Sequence, residues 1–450
     1  MKKIKLLYVT YHFPPVGQAA SIRALKLSNA LYDYDIESII VTQNIEFEDH
    51  LHRLPDYSLW KEVNKKTRVL RARYFSPTIF HIPIKILNIF QKLFKLTTSF
   101  FTEKATGSKY SFTIPKDPLI PDHYIEWLPS VLWKIFTKRK IIKQIDVILV
   151  TAPPFSLFFI GLFLKSFLKK PLIIEYRDPF TFDPLKYTLG IKQRVNQLLE
   201  YYFLKTADAI VCGIEYFRDE LIKKYKNDAF KNKILVIRSA FDPKDFQGLK
   251  EVKHKKNDFI LTITTSLYRM RNPNPFFEGI SRLKKSGDLE GLNFEFNIYG
   301  YNPIHYFEDK LRELDIMDLV NFKGFVPHDE CLKALKNSTL NVDIGEKVID
   351  YPAPPYHTWE YVASGKKYFY LGEPNTFKAN FVEGNDIGIV LPRNNPEIIY
   401  EKMKKVISEF KMGKLDTKIP DDVALKFTWK SRVLKLQALV KFLAEKSKEG

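Results

Sequence analysis

"IKLLYVTYHFPPVGQAASIRALKLSNALYDYDIESIIVT", residues 4–42, opens the chain and decides its fold. "IKLLYVT" (4–10) is rich in Ile, Leu, Tyr and Val and reads as a strand. Pro14-Pro15 ends it, since proline cannot donate to a ladder. In "AASIRALKLSNAL" (19–31) the apolar residues recur every three or four positions, the period of an amphipathic helix. "ESIIVT" (37–42) returns to strand. Strand, turn, helix and strand together make the crossover unit of a parallel sheet.

The alternation continues. "VILV" (147–150), "LIIEY" (172–176), "AIVC" (209–212) and "ILVI" (234–237) read as further strands of this series. A second series follows: "FILTIT" (259–264), "FEFNIYG" (294–300), "LVNFKG" (319–324), "TLNVDIG" (339–345), "KYFYLG" (367–372) and "GIVL" (388–391). Near-continuous apolar strands with helices between them are buried on both faces. The reading is an α/β chain of two doubly wound, Rossmann-like domains, with ligands at the carboxyl ends of the strands. The first domain is placed at 1–245 and the second at 256–428. A charged join, "DPKDFQGLKEVKHKKNDF" (242–259), lies between them, and a last helix over about 429–446 is anchored by Trp429.

Composition narrows the class. The chain has 450 residues, 45% hydrophobic, with a formal charge of +19. Residues 1–250 hold 40 Lys and Arg against 24 Asp and Glu, and the remainder 31 against 28. The first half therefore faces something anionic. Cys212 and Cys331 are too few for a disulfide framework and read as two buried thiols in a reducing compartment. The N-terminal apolar run is short and ends in prolines, as a strand does and an export signal does not. "VILVTAPPFSLFFIGLFLKSFL" (147–168) has the length of a membrane span, but its proline pair divides it into strand, turn and helix. No helix-turn-helix, zinc-finger or RNP-type signature appears, so nucleic acid is not the expected anion. No G-x-G-x-x-G follows a strand, which disfavours a dehydrogenase.

Near residues 74–105 the alternation breaks. From 79 to 101, His81, Lys85, Asn88, Lys92, Lys95 and Ser99 recur at helical spacing opposite a broad apolar face. Such a helix either packs on the domain core or rests on an anionic membrane surface.

Several segments, in order, resemble the two-domain GT-B glycosyltransferases, in particular the retaining family 4 group. "YHFPPVGQAASIRALKLSNAL" resembles the loop and helix after the first strand, with Gly17 beside the donor phosphate; Gln18 stands where a second glycine is common. "IIEYRDPFTFDP" resembles a strand ending in Arg-Asp-Pro, with Arg177 and Asp178 facing the cleft. "IRSAFDPKDF" matches the family only at Asp242. "TTSLYRMRNPNPF" resembles the cationic segment that meets the donor pyrophosphate, with Ser266 at the first cation's position, Arg271 at the second and Arg269 beside it. Cations suit a leaving nucleoside diphosphate, which gains negative charge as the glycosidic bond breaks. "FNIYGYNP" brings Gly300 to a turn, and "VNFKGFVPHDE" brings the Val326 backbone to the nucleotide base.

"YHTWEYVASGKKYFYLG" (356–372) resembles the Glu-hydrophobic-hydrophobic-Ala-Ser-Gly-Lys segment that holds the donor ribose. Glu360 is then the ribose ligand, two acceptor oxygens for a vicinal diol, with Ser364 nearby. The family's other glutamate falls on Pro352, leaving Asp350 as a candidate near the sugar.

The resemblance implies a GT-B fold with the C-terminal helix returning to the N-terminal domain. It also implies retaining transfer from a nucleotide-sugar to a hydroxyl of a cell-envelope glycan or lipid-linked oligosaccharide. Arg271, Arg269 and Asp178 are the implied catalytic residues. Glu360, Gly17, Ser266, Gly300, Val326 and Ser364 lie on the donor side, and Arg177, His12 and Arg23 on the acceptor side. No cofactor and no obligatory metal are expected. The expected place is the cytoplasm, peripheral on the inner face of the membrane. A nucleotide-sugar 2-epimerase on the same fold and a non-catalytic basic binding protein are the alternatives.

Overall fold

The structure is a computed structural model that describes residues 3–44, 55–73, 119–182, 190–226, 228–267, 271–300, 304–346 and 354–449. The amphipathic stretch 79–101, Arg269, Asp350 and Pro352 fall outside the described residues. The first unit runs β1 (Ile4–Val9), α1 (Ala19–Tyr32), β2 (Ile36–Gln43), α2 (Tyr57–Lys61), β3 (Arg68–Ala72), α3 (Leu128–Thr137), β4 (Val147–Ala152), α4 (Leu157–Leu168), β5 (Leu172–Tyr176), α5 (Ile191–Thr206), β6 (Ala209–Cys212), α6 (Glu215–Tyr225) and β7 (Ile234–Val236). The second runs β8 (Asp258–Ile263), α7 (Asn274–Lys285), β9 (Asn293–Tyr299), β10 (Val320–Gly324), α8 (His328–Lys336), β11 (Leu340–Ile344), α9 (Tyr356–Ala363), β12 (Tyr368–Gly372), α10 (Phe377–Gly384), β13 (Gly388–Pro392), α11 (Pro396–Lys411) and α12 (Trp429–Glu449).

Among the described residues the first sheet has the order β3-β2-β1-β4-β5-β6-β7 and the second β10-β9-β8-β11-β12-β13. Their strand pairs are parallel. Strand order reverses beside β1 and beside β8, so crevices open at the carboxyl ends of β1 with β4 and of β8 with β11. β1 shows why both faces need helices. Leu7 and Val9 enter one buried cluster with α3, α4 and α5, while Leu6 and Tyr8 enter another with α1 and α12. Residues 147–168 form β4, a proline turn and α4; no helix among the described residues is long and apolar enough to cross a membrane.

α12 belongs to the first unit's core. Trp429, Val433, Leu436, Val440 and Leu443 recur at helical spacing and are buried with Leu25 and Leu31 of α1. Burying each such side chain contributes about 1.5–3 kcal/mol, so Leu436→Ala would loosen the return. The charged join is more ordered than its composition suggests. Asp242 caps a short helix, Pro243–Phe246, by accepting from the Lys244 amide. Phe241 lies in a bridge beside Thr428, with hydrogen bonds to Phe427 and Trp429. The thiols also differ from expectation: Cys212 is buried, but Cys331 is half-buried, and neither is in a disulfide.

Candidate functional site

The carboxyl end of β8 and the loop after β11 build a charged cluster. Arg271 donates from Nη1 to Thr265 Oγ1 (2.6 Å) and from Nη2 to Glu346 Oε1 (2.8 Å). The guanidinium fork is thus held beside the crevice in a fixed plane. Ser266 is exposed at the same edge. One layer below lies Asp343, the one carboxylate of β11. It is fully buried and pairs with Lys378 Nζ of α10 (2.7 Å), His357 Nε2 (3.1 Å) and Thr358 Oγ1 (3.1 Å) of α9. Burial favours the neutral acid, but Lys378 and His357 outweigh it and hold Asp343 far below the usual carboxylate range. Burial lowers Lys378, only partly offset by Asp343, and lowers His357 as well. The cluster fixes the first turn of α9 against β11 and so sets where Glu360 stands.

Glu360 is 8% exposed in the second turn of α9. Its Oε1 lies 2.7 Å from His328 Nε2. Burial lowers the proton affinity of His328, yet the adjoining Glu360 charge outweighs burial and raises its pKa. The imidazolium form donates to the carboxylate. His328 opens α8, and its backbone N–H donates to Asp56 Oδ2 of the first unit (2.7 Å). The other oxygen of Asp56 caps α2 through the Ser58 amide (2.9 Å) and hydroxyl (2.6 Å). Asp56 therefore bonds helix starts in both units.

Gly17 completes this contact. A Cβ there would lie 3.1 Å from Asp56 Cβ and 3.1 Å from Phe325 Cζ. A side chain on this loop would press on Asp56 of its own unit and on Phe325 of the second, and either would have to give by a few tenths of an ångström. Half-buried Val326 lies beside that contact, one residue after Phe325. Gly300 has φ 110° and donates its amide to Gly324 O (2.8 Å), which turns the chain out of β9 at the crevice.

On the first unit, His12 and Arg177 follow β1 and β5, with β4 between those strands. His12 is buried with its ring edge against Tyr11. Arg177 donates to the carbonyls of Ala152 (3.4 Å) and Pro153 and so braces the proline turn after β4. Its Nη1 is buried without a partner among the described residues. Burial lowers its pKa, against the raising charges of Asp178 and Glu175. Asp178 itself is exposed.

Two expected ligands have other work. Ser364 Oγ donates to Tyr361 O (2.7 Å) and accepts from Asn341 Nδ2 (3.0 Å) and the Lys366 amide (3.2 Å). One donor and two lone pairs are then used, so Ser364 closes α9 and has no capacity left for a donor. Arg23 is buried and points into the core. It bonds Glu175 Oε1 through Nε (3.1 Å) and Nη2 (2.7 Å), Ser239 Oγ through Nη1 (3.0 Å) and Ile237 O through Nη2 (2.9 Å). It ties α1 to β5 instead of meeting an acceptor.

Sequence reading did not single out Asp56, His328, Asp343, Glu346 or Lys378. Asp343 carried a signal, a lone acid inside a strand with three large apolar residues; the others carried none. Among the described residues no group of three or more His, Cys, Asp or Glu is placed to hold a metal ion.

A family model, Glycosyltransferase Family 4, matches residues 98–245. The fold is similar to that of sucrose-phosphate synthase from Thermosynechococcus elongatus at 13% identity and a TM-score of 0.62, covering 99% of this chain and 100% of that one. It is similar to Anabaena HepE, solved in complex with UDP and glucose, at 10% identity and a TM-score of 0.57, covering 99% and 98%. It is also similar to UDP-GlcNAc 2-epimerase from Methanocaldococcus jannaschii at 13% identity and a TM-score of 0.54, covering 98% and 99%. No curated protein sequence matches the chain.

Proposed function

We propose that this chain is a glycosyltransferase of the GT-B type, a reading supported by the fold of both its units and by the family 4 match over residues 98–245, with a specific division of labour. The second unit holds a nucleotide-sugar. Glu360 accepts from the ribose hydroxyls through Oε2 while His328 keeps Oε1. Arg271 exchanges Glu346 for the diphosphate and stabilises its growing charge as the sugar leaves. Gly300 and the Val326 backbone border the nucleotide. The first unit takes the acceptor beside His12, Arg177 and Asp178. The acceptor is a hydroxyl of a cell-envelope glycan or lipid-linked oligosaccharide, and the sugar keeps its anomeric configuration. The enzyme works in the cytoplasm, peripherally on the inner face of the membrane, without an obligatory metal.

The observation that carries this reading is a carboxylate on α9 and a guanidinium after β8 in the same unit, each with its orientation fixed by a partner. Anabaena HepE is described with UDP and glucose, so UDP-sugars come first in the test. Calorimetry against UDP-, GDP-, ADP- and dTDP-sugars is expected to find one binder whose sugar is transferred equally well in EDTA. No binding of any of them overturns the reading. Loss of transfer in EDTA, restored by Mg²⁺ or Mn²⁺, overturns the metal-free part alone.

A further inference from the structure

α3 and α4 lie side by side on the outer face of the first unit, both packed inward on the same core. Their outward faces are not those of ordinary surface helices. Trp133 is 71% exposed, Phe167 57%, Phe136 42% and Phe163 38%. The three phenylalanines touch one another: Phe136 meets Phe163 at 6.1 Å and Phe167 at 5.4 Å, and Phe163 stacks on Phe167 at 5.7 Å. Three packed rings and an indole one helical turn away form a contiguous apolar ridge, and such a ridge on a soluble surface marks a contact site.

The charge around the ridge selects the occupant. Residues 128–170 contain eight Lys or Arg and one acidic residue, Asp146. Lys138, Arg139, Lys140, Lys143 and Lys169 are exposed. Protein partners favour interfaces depleted of lysine. Aromatic rings flanked by lysines are the composition of a surface lying at the boundary of an anionic bilayer, rings among the acyl chains and ammonium groups at the phosphates. Trp133 suits that boundary because its ring is apolar and its N–H stays hydrated.

We infer that the ridge of Trp133, Phe136, Phe163 and Phe167, with its surrounding cations, is a docking surface for anionic glycerophospholipid. The inference rests on the peripheral-membrane reading above and assigns its contact to α3 and α4. α4 begins at the turn after β4, on the crevice side of the sheet. Phe163 and Phe167 stand about 9 and about 15 Å along it at 1.5 Å per residue. Docked on this face, the first unit holds the crevice end of α4 about 9–15 Å along the helix from the rings that meet lipid.

The test uses the full chain and vesicles of phosphatidylcholine with or without phosphatidylglycerol. The parent is expected to sediment with the anionic vesicles and leave them at high salt. Trp133→Ser with Phe167→Ser is expected to lower partitioning about a hundred-fold, roughly tenfold per exposed ring. Lys138→Glu with Lys169→Glu is expected to abolish the preference for phosphatidylglycerol. Both positions in each pair are exposed, so circular dichroism and donor affinity should match the parent. Unchanged partitioning of both variants overturns the inference. If only Ile86→Ser, Phe90→Ser and Phe94→Ser release the protein, this face is wrong and peripheral attachment stands. A parent that binds neither vesicle overturns both, while donor binding by calorimetry tests the transferase reading separately. Self-association of the parent, abolished by the serine pair, assigns the ridge to a second copy and overturns lipid docking.

Discussion

Glu360→Gln is the most revealing substitution, because the structure makes it speak twice. The change keeps the size of the side chain and removes its charge. Losing a charged hydrogen bond costs about 1.5–3 kcal/mol, so donor affinity should fall about ten- to a hundred-fold. The second reading comes from His328, 7% exposed and 2.7 Å from the carboxylate. Burial lowers its pKa, Glu360 more than reverses that, and the folded value is raised. An unfolded histidine titrates near about 6.5. In the parent, the folded state therefore holds the proton more tightly than the unfolded state does. The pair's contribution is fully present below about pH 6.5 and is lost as pH rises through the raised folded value. In the variant only burial remains as the dominant influence, and the folded histidine prefers to be neutral. The variant should then lose stability as pH falls below about 6.5, where the parent already has the pair's full contribution. The assay is urea unfolding of both proteins between about pH 5.5 and about pH 9, taken as the difference between the two so that other groups cancel. Every unit by which the two folded values differ is worth about 1.4 kcal/mol. Parallel stability curves would refute the coupling of His328 to Glu360. Unchanged donor affinity would refute the ribose assignment.

Three further outcomes are expected. Arg271→Ala should lower saturating turnover about a hundred- to a thousand-fold while weakening donor binding less, because charge on the diphosphate grows only as the bond breaks; normal turnover would pass the role to Arg269. Gly17→Leu should wedge the units apart at Phe325 and press on Asp56 of its own unit, both 3.1 Å from a Cβ there. Overpacking of this kind costs about 1–3 kcal/mol, so donor kcat/KM should fall about tenfold or more, and small-angle scattering should show a larger radius. An unaltered radius with parent kinetics would show that the contact gives way. Glu175→Gln leaves the buried Arg23 guanidinium without its counter-charge and should cost about 3–5 kcal/mol in chemical unfolding; a loss below about 1 kcal/mol would mean that Ser239 and Ile237 suffice.

Much of the fold could be read from the sequence, because apolar strands buried on both faces leave a strong local pattern. The expected strands of both series formed within a residue or two of their positions. β3 was missed for the same reason in reverse. "RVLRA" is an edge strand whose arginines interrupt the apolar run, so nothing local separates it from a loop. The join was read as a plain linker because its charges obscured what Asp242 and Asp245 do, one capping a turn and the other pairing with Lys26.

At the proposed site, Glu360 and Arg271 were singled out by their neighbours in sequence. Asp56 and His328 were not, since they are 272 residues apart and meet only when the units close. Ser364 and Arg23 have the chemistry of ligands, and only the folded chain shows that their bonding capacity is already used.

The chain crosses between its units twice, and the crossings lie side by side. On the way out, Phe241 passes beside Thr428, where the chain returns. The Phe241 amide bonds Phe427 O at 3.1 Å, and the Trp429 amide bonds Phe241 O at 2.9 Å. Lys26 of α1 grips the outgoing segment through Asp245 of the short helix Pro243–Phe246. A single connection would act as a swivel, free to turn about any axis. Two connections stitched together act as the pin of a door: they permit bending about one line and resist twist and slide. Swing about that pin separates Gly17 from Phe325 and pulls the His328 amide from Asp56. The same swing would part the proposed acceptor edge from the proposed diphosphate site. Any opening would run along that one line, and the contact from the His328 amide to Asp56 is bonded through the His328 ring to the carboxylate proposed to grip the nucleotide. Whatever occupies Glu360 is then in a position to bias whether the door is shut.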